Sequence, residues 1–401
     1  MVELFEQARL GPWGVKNRIV RSATYEGMAD THGFPTDAYK KLYRDLARFE
    51  VGTIITGFVY ICPGGRAMQP NQAGLDNSEK IPFYKSIVDQ VHEYGSRIFV
   101  QLAHAGRQTR REATHGTVWG VSGMPSFYFR HKPQKLTTDQ ALGVIDSFAD
   151  SAVYAKEAGF DGVQLHAGHG YLIHQFLLPS INTRTDLFKV DETKKIGTTF
   201  LEMIIDKIRE RCGDDFPLLI KVSASDDYTK KFSKDQFIAL IRFLNAKKLA
   251  AIEISYGTMD HALNIIRGDI PLDLILAHNP IYKINNPLGK ILWKLCVYPF
   301  LKIKIRPFFP MYNLESARCA KEHSRIPIMC VGGFRKRGEM DDVLKREALD
   351  FVSMCRPFVC ERDLVIKLRN DPGYTSQCVN CNMCTIMCDS PNPTHCWRNT
   401  S

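Results

Sequence analysis

The sequence predicts an α/β architecture: a (β/α)8 TIM barrel with a long insertion after its sixth strand and a short cysteine-rich C-terminal tail. Three observations predict it. Eight short apolar runs alternate with stretches of helical pattern. Polar residues or glycines stand at the C-terminal ends of five of those runs, the face on which such barrels keep their chemistry. No glycine-rich turn follows an early strand, as an open doubly wound sheet would require.

The strands are expected at 18–23, 52–57, 97–103, 161–166, 217–223, 250–255, 326–331 and 349–355. Most are β-branched and read as continuous apolar runs, as strands covered on both faces do. Helices are expected at 37–49, 79–94, 138–158, 193–211, 233–246, 313–323 and 338–346, with Thr138 and Ser233 as N-caps. Gln101 ends the third run, His166 the fourth, and Lys221 lies near the end of the fifth. Gly332 and Gly333 follow the seventh, and Arg356 the eighth. The barrel is expected to occupy 1–373, with 257–311 inserted, and the tail 374–401.

The chain has 401 residues, 44% of them hydrophobic and 24% charged, enough for a large core. Lys plus Arg exceeds Asp plus Glu, 53 against 43. The excess is scattered, which fits anionic small ligands and not a nucleic-acid stripe. No apolar run is long enough to span a bilayer, and MVELFEQARLGPWG lacks the layout of a signal peptide, so a cytoplasmic location is expected. Five of the twelve cysteines crowd the last 24 residues. In a chain this long that is not a disulfide framework, and it is dense enough for a metal site.

The most informative stretch is FDGVQLHAGHGYLIHQFL, residues 160–177. Its apolar run ends in His166, His169 and Tyr171, spaced by Ala and Gly, where a strand opens into a loop. Imidazole N–H groups can hold a developing oxyanion, and a phenol can hand over a proton. A helix N-terminus with backbone-satisfied histidines and a metal-binding histidine pair are the alternatives; Gly168 and Gly170 argue against a continuous helix. The insertion contains ILWKLCVYPFLKIKIRPFFP, both apolar and basic, without a clean helical stripe. It reads as a lid or a subunit contact in preference to a membrane-touching patch.

LFEQARLGPWGVKNRIVRSAT, FVQLAHAGRQ, GFDGVQLHAGHGYLIHQFLLPSINTRTD, VGGFRKRGE and CRPF together resemble the Old Yellow Enzyme family of FMN-dependent oxidoreductases. The tail is similar to that of its 2,4-dienoyl-CoA reductase and trimethylamine dehydrogenase branch. The resemblance implies FMN, with NADH or NADPH as co-substrate. It places Ala23, Thr24, Tyr25 and Gly57 along the flavin, Gln101 on the pyrimidine ring and Lys221 near N1. Gly332, Gly333 and Arg356 would grip the phosphate. It also implies a mechanism in which the carbonyl oxygen of an α,β-unsaturated substrate is held by His166 and His169. Hydride then passes from flavin N5 to the β-carbon, and Tyr171 protonates the α-carbon.

Cys378, Cys381, Cys384 and Cys396, with Cys388 as an alternative, would hold a [4Fe–4S] cluster; zinc and an empty tail are its competitors. The chain departs from the family after Arg184–Asp186, where no glycine pair follows, and at Cys355, where glycine is common. The nucleotide domains of longer relatives are not in this sequence, so reduced nicotinamide is expected to meet FMN directly unless an electron-donor protein supplies it. Other partners expected are a small enone or enoyl substrate and further copies of the chain. The rival reading is an electron-transfer flavoprotein passing electrons between FMN, a cysteine-bound cluster and a protein partner.

Overall fold

In the computed structural model, which describes residues 3–398, eight parallel strands close into a barrel. They are β1 Ile19–Arg21, β2 Thr53–Tyr60, β3 Arg97–Ala103, β4 Val163–Ala167, β5 Leu218–Ser223, β6 Ala251–Ser255, β7 Ile328–Val331 and β8 Phe351–Met354. Each pairs with its neighbour in sequence, and β8 closes on β1 through Val352 opposite Ile19. Helices α1 Asp37–Arg48, α2 Ile81–His92, α3 Thr138–Glu157, α4 Thr199–Cys212, α5 Lys234–Asn245, α6 Leu314–His323 and α7 Arg337–Lys345 connect them.

Successive side chains of a strand point to opposite faces, and here the two faces differ in character. Ile98, Val100, Ile220, Val222, Ile252 and Ile254 join the large core beneath the helices. The alternate positions face the lumen. At its lower end these are apolar: Val20, Ile55, Phe99, Leu219, Met329 and Phe351. Leu10 and Val15 of an N-terminal hairpin, Ala8–Leu10 paired with Trp13–Val15, join that cluster and plug the floor. Towards the mouth the lumen-facing positions turn polar: Gln101, Gln164, His166, Lys221, Glu253 and Ser255, all buried. Burial of the floor and polarity of the upper layer confine the chemistry to the C-terminal mouth.

Several boundaries differ from the sequence expectation. The cap of α3 is Thr137, in a reciprocal box with Gln140, and not Thr138. Thr138 Oγ1 donates instead to Asp186 Oδ2 at 2.8 Å. Ser233 caps α5 with Gln236, as expected. α4 begins at Thr199, since the Asp191 carboxylate captures the Thr193 and Lys194 N–H groups in a local turn. A separate turn of 3-10 helix, Ser78–Lys80, precedes α2. The second strand does not stop at Gly57. A bulge between Ile55 and Phe58 absorbs that residue, and the strand continues to Tyr60.

The insertion after β6 carries short helices at Leu272–His278, Pro287–Cys296 and Tyr298–Lys302, and the tail carries one at Met383–Met387. The two segments are stitched together over the mouth. Asp269 N donates to Asn380 O at 2.9 Å. Asn382 Nδ2 donates to the carbonyls of Ile266 and Asp269, at 2.8 and 3.0 Å. Residues 1–2 of the expected barrel segment and 399–401 of the expected tail lie outside the described residues.

Candidate active site

A cavity of about 300 Å3 opens at the C-terminal end of the barrel. Of the residues singled out in the sequence, Ala23, Thr24, Tyr25, Gln101, His166, His169, Tyr171, Lys221, Gly332, Gly333 and Arg356 all line it. Gly57 does not. Its N–H donates to Glu26 Oε1 at 2.6 Å, and a Cβ there would lie 2.1 Å from the Glu26 carboxylate. The bulge that holds Gly57 turns Phe58 into the cavity in its place.

His166 is the penultimate residue of β4, and its ring meets Tyr171 edge-on at 4.7 Å and His169 at 5.0 Å. Its Nδ1 is buried without a partner. His169 adopts a φ of +58°, an uncommon conformation for a residue with a side chain. Its N–H donates to Ser223 Oγ at 2.9 Å, its carbonyl accepts from Met259 N at 2.8 Å, and its Nε2 shares a hydrogen bond with Ser255 Oγ at 2.8 Å. Tyr171 is the N-cap of Leu172–Leu177, so the helix begins only after the third of these candidate residues.

Burial first, and then the Lys221 charge and neighbouring histidines, holds both imidazoles well below their ordinary value. They are neutral N–H donors at pH 7. Burial raises the Tyr171 phenol, with Cys388 and Asp389 adding to the effect, so it keeps its proton. Two neutral donors beside one protonated phenol can hold an oxyanion and deliver a proton.

A buried polar chain runs around the lumen below these groups. Gln101 Nε2 donates to Gln164 Oε1 at 2.6 Å, and Gln164 Nε2 donates to Glu253 Oε2 at 3.0 Å. Glu253 Oε2 pairs with Lys221 Nζ at 3.4 Å, and Lys221 Nζ donates to Ser22 Oγ at 2.8 Å. Sequence reasoning missed Gln164 and Glu253. Each stands two positions before a polar strand-end residue, His166 and Ser255, and that alternation is the signal.

At the opposite side Gly332 and Gly333 have φ of +128° and +82°, and a Cβ on Gly333 would lie 2.8 Å from Met311 N. Only glycine fits this bare-backbone turn. Arg356 reaches Asn382 Oδ1 and donates to Arg267 O at 2.9 Å, so it ties β8 to both tail and insertion. Each terminal nitrogen keeps a second N–H for an anion. The tail closes the cavity with Cys388 and Asp389, neither of which the sequence assigned to this wall. Burial pushes Asp389 up to about 7, although Asn279 Nδ2 donates to it at 2.8 Å.

Cys378, Cys381, Cys384 and Cys396 line one smaller adjoining cavity, which Cys360 joins from Arg356–Cys360. The Cys360 thiol is pushed up to about 12 by burial and then by the neighbouring Cys396. Cys388 stands apart, donating to Thr385 O at 2.8 Å. Among the described residues no group of three or more His, Cys, Asp or Glu side chains is arranged to hold a metal ion.

A closed parallel barrel with convergent donors and a glycine turn at its C-terminal mouth is the framework of a phosphate-bearing cofactor enzyme. Residues 3–266 match the pattern of the NADH:flavin oxidoreductase / NADH oxidase family, and the chain belongs to that family. It is an FMN-dependent oxidoreductase. The chain is similar to the 4,4'-dithiodibutanoate disulfide reductase of Rhodococcus erythropolis, at 26% identity over 95% of this chain and 92% of that protein. It is also similar to the NADPH dehydrogenase of Bacillus subtilis (strain 168), at 32% identity over 66% of this chain and 77% of that one. The NADH oxidase of Thermoanaerobacter brockii is 27% identical over 95% of this chain and 53% of its own length. A solved 2-naphthoyl-CoA reductase structure shares the fold, with a TM-score of 0.79 at 21% identity over 95% of this chain and 54% of that one. The chain thus spans about half the length of those last two proteins.

The cavity suits FMN. It offers the unpartnered His166 Nδ1, an amide and an ammonium on one side, and the glycine turn with a guanidinium on the other. Among the described residues no helix is long and apolar enough to cross a membrane.

Proposed function

We propose that this chain is an ene reductase, which reduces the C=C bond of an α,β-unsaturated carbonyl or enoyl compound with electrons from NADH or NADPH. Bound FMN supplies the hydride chemistry. Gln101 and Lys221 hold its ring system, with the Ala23–Tyr25 backbone beside it, and Gly332, Gly333 and Arg356 hold its phosphate. His166 and His169 donate to the substrate carbonyl oxygen, and their neutrality keeps them as hydrogen-bond donors without competing as acids. Tyr171 delivers the proton to the α-carbon. The observation that carries this reading is a neutral imidazole, His166, packed edge-on between a second neutral imidazole, His169, and a protonated, buried phenol, Tyr171, around one cavity.

The test is Tyr171→Phe in anaerobic single-turnover kinetics with 2-cyclohexenone. The rate at which NAD(P)H bleaches the flavin should hold. The rate at which the enone restores its colour should fall by about 10²-fold or more, as for a lost general acid. An unchanged enone rate would remove Tyr171 as the proton source.

The same reading gives the tail a [4Fe–4S] cluster held by Cys378, Cys381, Cys384 and Cys396, supported by their common cavity against Arg356. About four irons per chain with matching sulfide in protein purified without oxygen is the expected assay. Zinc, or no metal, would contradict it. The adjacency of the two cavities also supports electron transfer to a protein partner as a second reading, and an unchanged enone rate in the Tyr171→Phe variant would favour it.

A further inference from the structure

The insertion presents a face that the barrel leaves uncovered. On Pro287–Cys296 the side chains of Leu288, Ile291, Leu292 and Leu295 are all exposed, Leu288 and Leu295 to 69%. Their spacing is i, i+3, i+4, i+7, a regular helical stripe, which corrects the expectation that none exists here. Val297, Phe300 at 73% and Ile303 at 84% continue it through Tyr298–Lys302. Neither helix contains a buried residue. An apolar face of this extent is not left to water without a purpose.

Its charge is one-sided. No acidic residue stands between Asp273 and Glu315, while Lys283, Lys290, Lys294, Lys302, Lys304 and Arg306 fall within that interval. Lys294 pairs with Asp273 and Arg306 with Asp227, at 2.7 and 2.8 Å. The other four lysines have no ion-pair partner among the described residues. Trp293 and Tyr298, both half-buried beside the exposed stripe, stack at 6.5 Å, and amphipathic rings favour a boundary between apolar and wet surroundings.

We propose that this face docks on the surface of an anionic phospholipid bilayer, with the leucine, isoleucine and phenylalanine side chains in the acyl boundary and the lysines at the headgroups. A second copy of the chain is a poor occupant. A two-fold contact would lay one set of lysines against the other, and like charges across an interface cost affinity. An anionic leaflet meets both the apolar stripe and the charge. The docked segment is continuous with the cavity: Tyr282 lines it and meets Trp293 at 6.0 Å. An apolar molecule dissolved in the bilayer would therefore find the mouth close to the membrane surface.

The experiment is co-sedimentation of the full chain with vesicles of phosphatidylglycerol or of phosphatidylcholine. The protein should bind the phosphatidylglycerol vesicles far more tightly, since each lysine near an anionic surface strengthens binding about fivefold. Raised salt should weaken that binding. The double substitution Leu292→Ser with Phe300→Ser should weaken it at least about tenfold, with an unchanged circular dichroism spectrum. Absence of binding to phosphatidylglycerol vesicles by the unaltered protein would overturn the proposal, whatever the variant does. A dimer in solution that the same double substitution splits would overturn it in favour of a subunit contact.

Discussion

Replacing Glu253 with Gln tests the buried polar chain under the cavity. Glu253 and Lys221 are both buried, with 3.4 Å between Oε2 and Nζ. Gln preserves the shape and can still accept from Gln164 Nε2, so the substitution removes charge and little else. At an effective dielectric constant of about 20, a 3.4 Å ion pair is worth roughly 5 kcal/mol. Losing one partner of a buried pair typically destabilises by about 3–5 kcal/mol, because the other charge is left uncompensated. Urea unfolding at pH 7 should therefore show Glu253→Gln destabilised by about 3–5 kcal/mol. Lys221→Met alone should be destabilised by a similar amount, and the double variant by clearly less than the sum. The uncompensated lysine should also raise the midpoint potential of bound FMN, since added positive charge favours an anionic reduced flavin. A Glu253→Gln variant within about 0.5 kcal/mol of the parent, or an additive cycle, would mean that the two charges do not depend on each other.

Other consequences follow from the same structure. His104 and His174 are held down by burial to about 4 and about 3, and His166 and His169 lie well below their ordinary value. The unfolded chain takes up protons on all four below about pH 6.5. Their contribution to stability is complete above that pH and is lost as pH falls. Asp226 and Asp389, pushed up to about 6 and about 7, act in the opposite sense. The four histidines outnumber the two carboxylates, so these groups together make stability fall as pH falls from about 6 to about 4; urea midpoints that do not fall over this range would contradict it. Asp260→Asn should cost about 3 kcal/mol in urea unfolding and loosen the base of the insertion. It strands Arg107, whose guanidinium meets Asp260 Oδ2 at 2.7 Å with both side chains buried. A change of under about 0.5 kcal/mol would mean that the Met124 and Pro125 carbonyls and Tyr228, which Arg107 also contacts, suffice for it.

The eight-fold alternation was legible because parallel strands covered by helices are apolar enough to stand out between helical patterns. The convergence of His166, His169 and Tyr171 on one cavity was legible because all three lie within six residues at one strand end. What escaped notice has a physical cause in each case. β4 and β6 are mainly apolar runs, against which the single polar side chains of Gln164 and Glu253 carry no signal of the lumen-facing row to which they belong. Gly57 looked like a strand end because a bulge interrupts the ladder there. Asp389 and Asn382 owe their places to the path of the tail across the mouth, which also brings the tail cysteines up to Cys360, a long-range packing choice with no local signature. The exposed stripe of Leu288, Ile291, Leu292 and Leu295 becomes regular only once the helix is known to start at Pro287.

In the proposed reaction one cavity holds FMN beside His166, His169 and Tyr171 and reduces an activated C=C bond. The most direct measurement is to reduce the FMN-loaded protein with NADPH or NADH without oxygen, add one equivalent of 2-cyclohexenone, and follow the flavin absorbance and the product together. The colour should return while saturated ketone forms one-for-one, and a His166→Ala, His169→Ala variant should restore it at least about 10²-fold more slowly. A flavin that the enone leaves reduced, or product formation untouched by loss of both histidines, would contradict it.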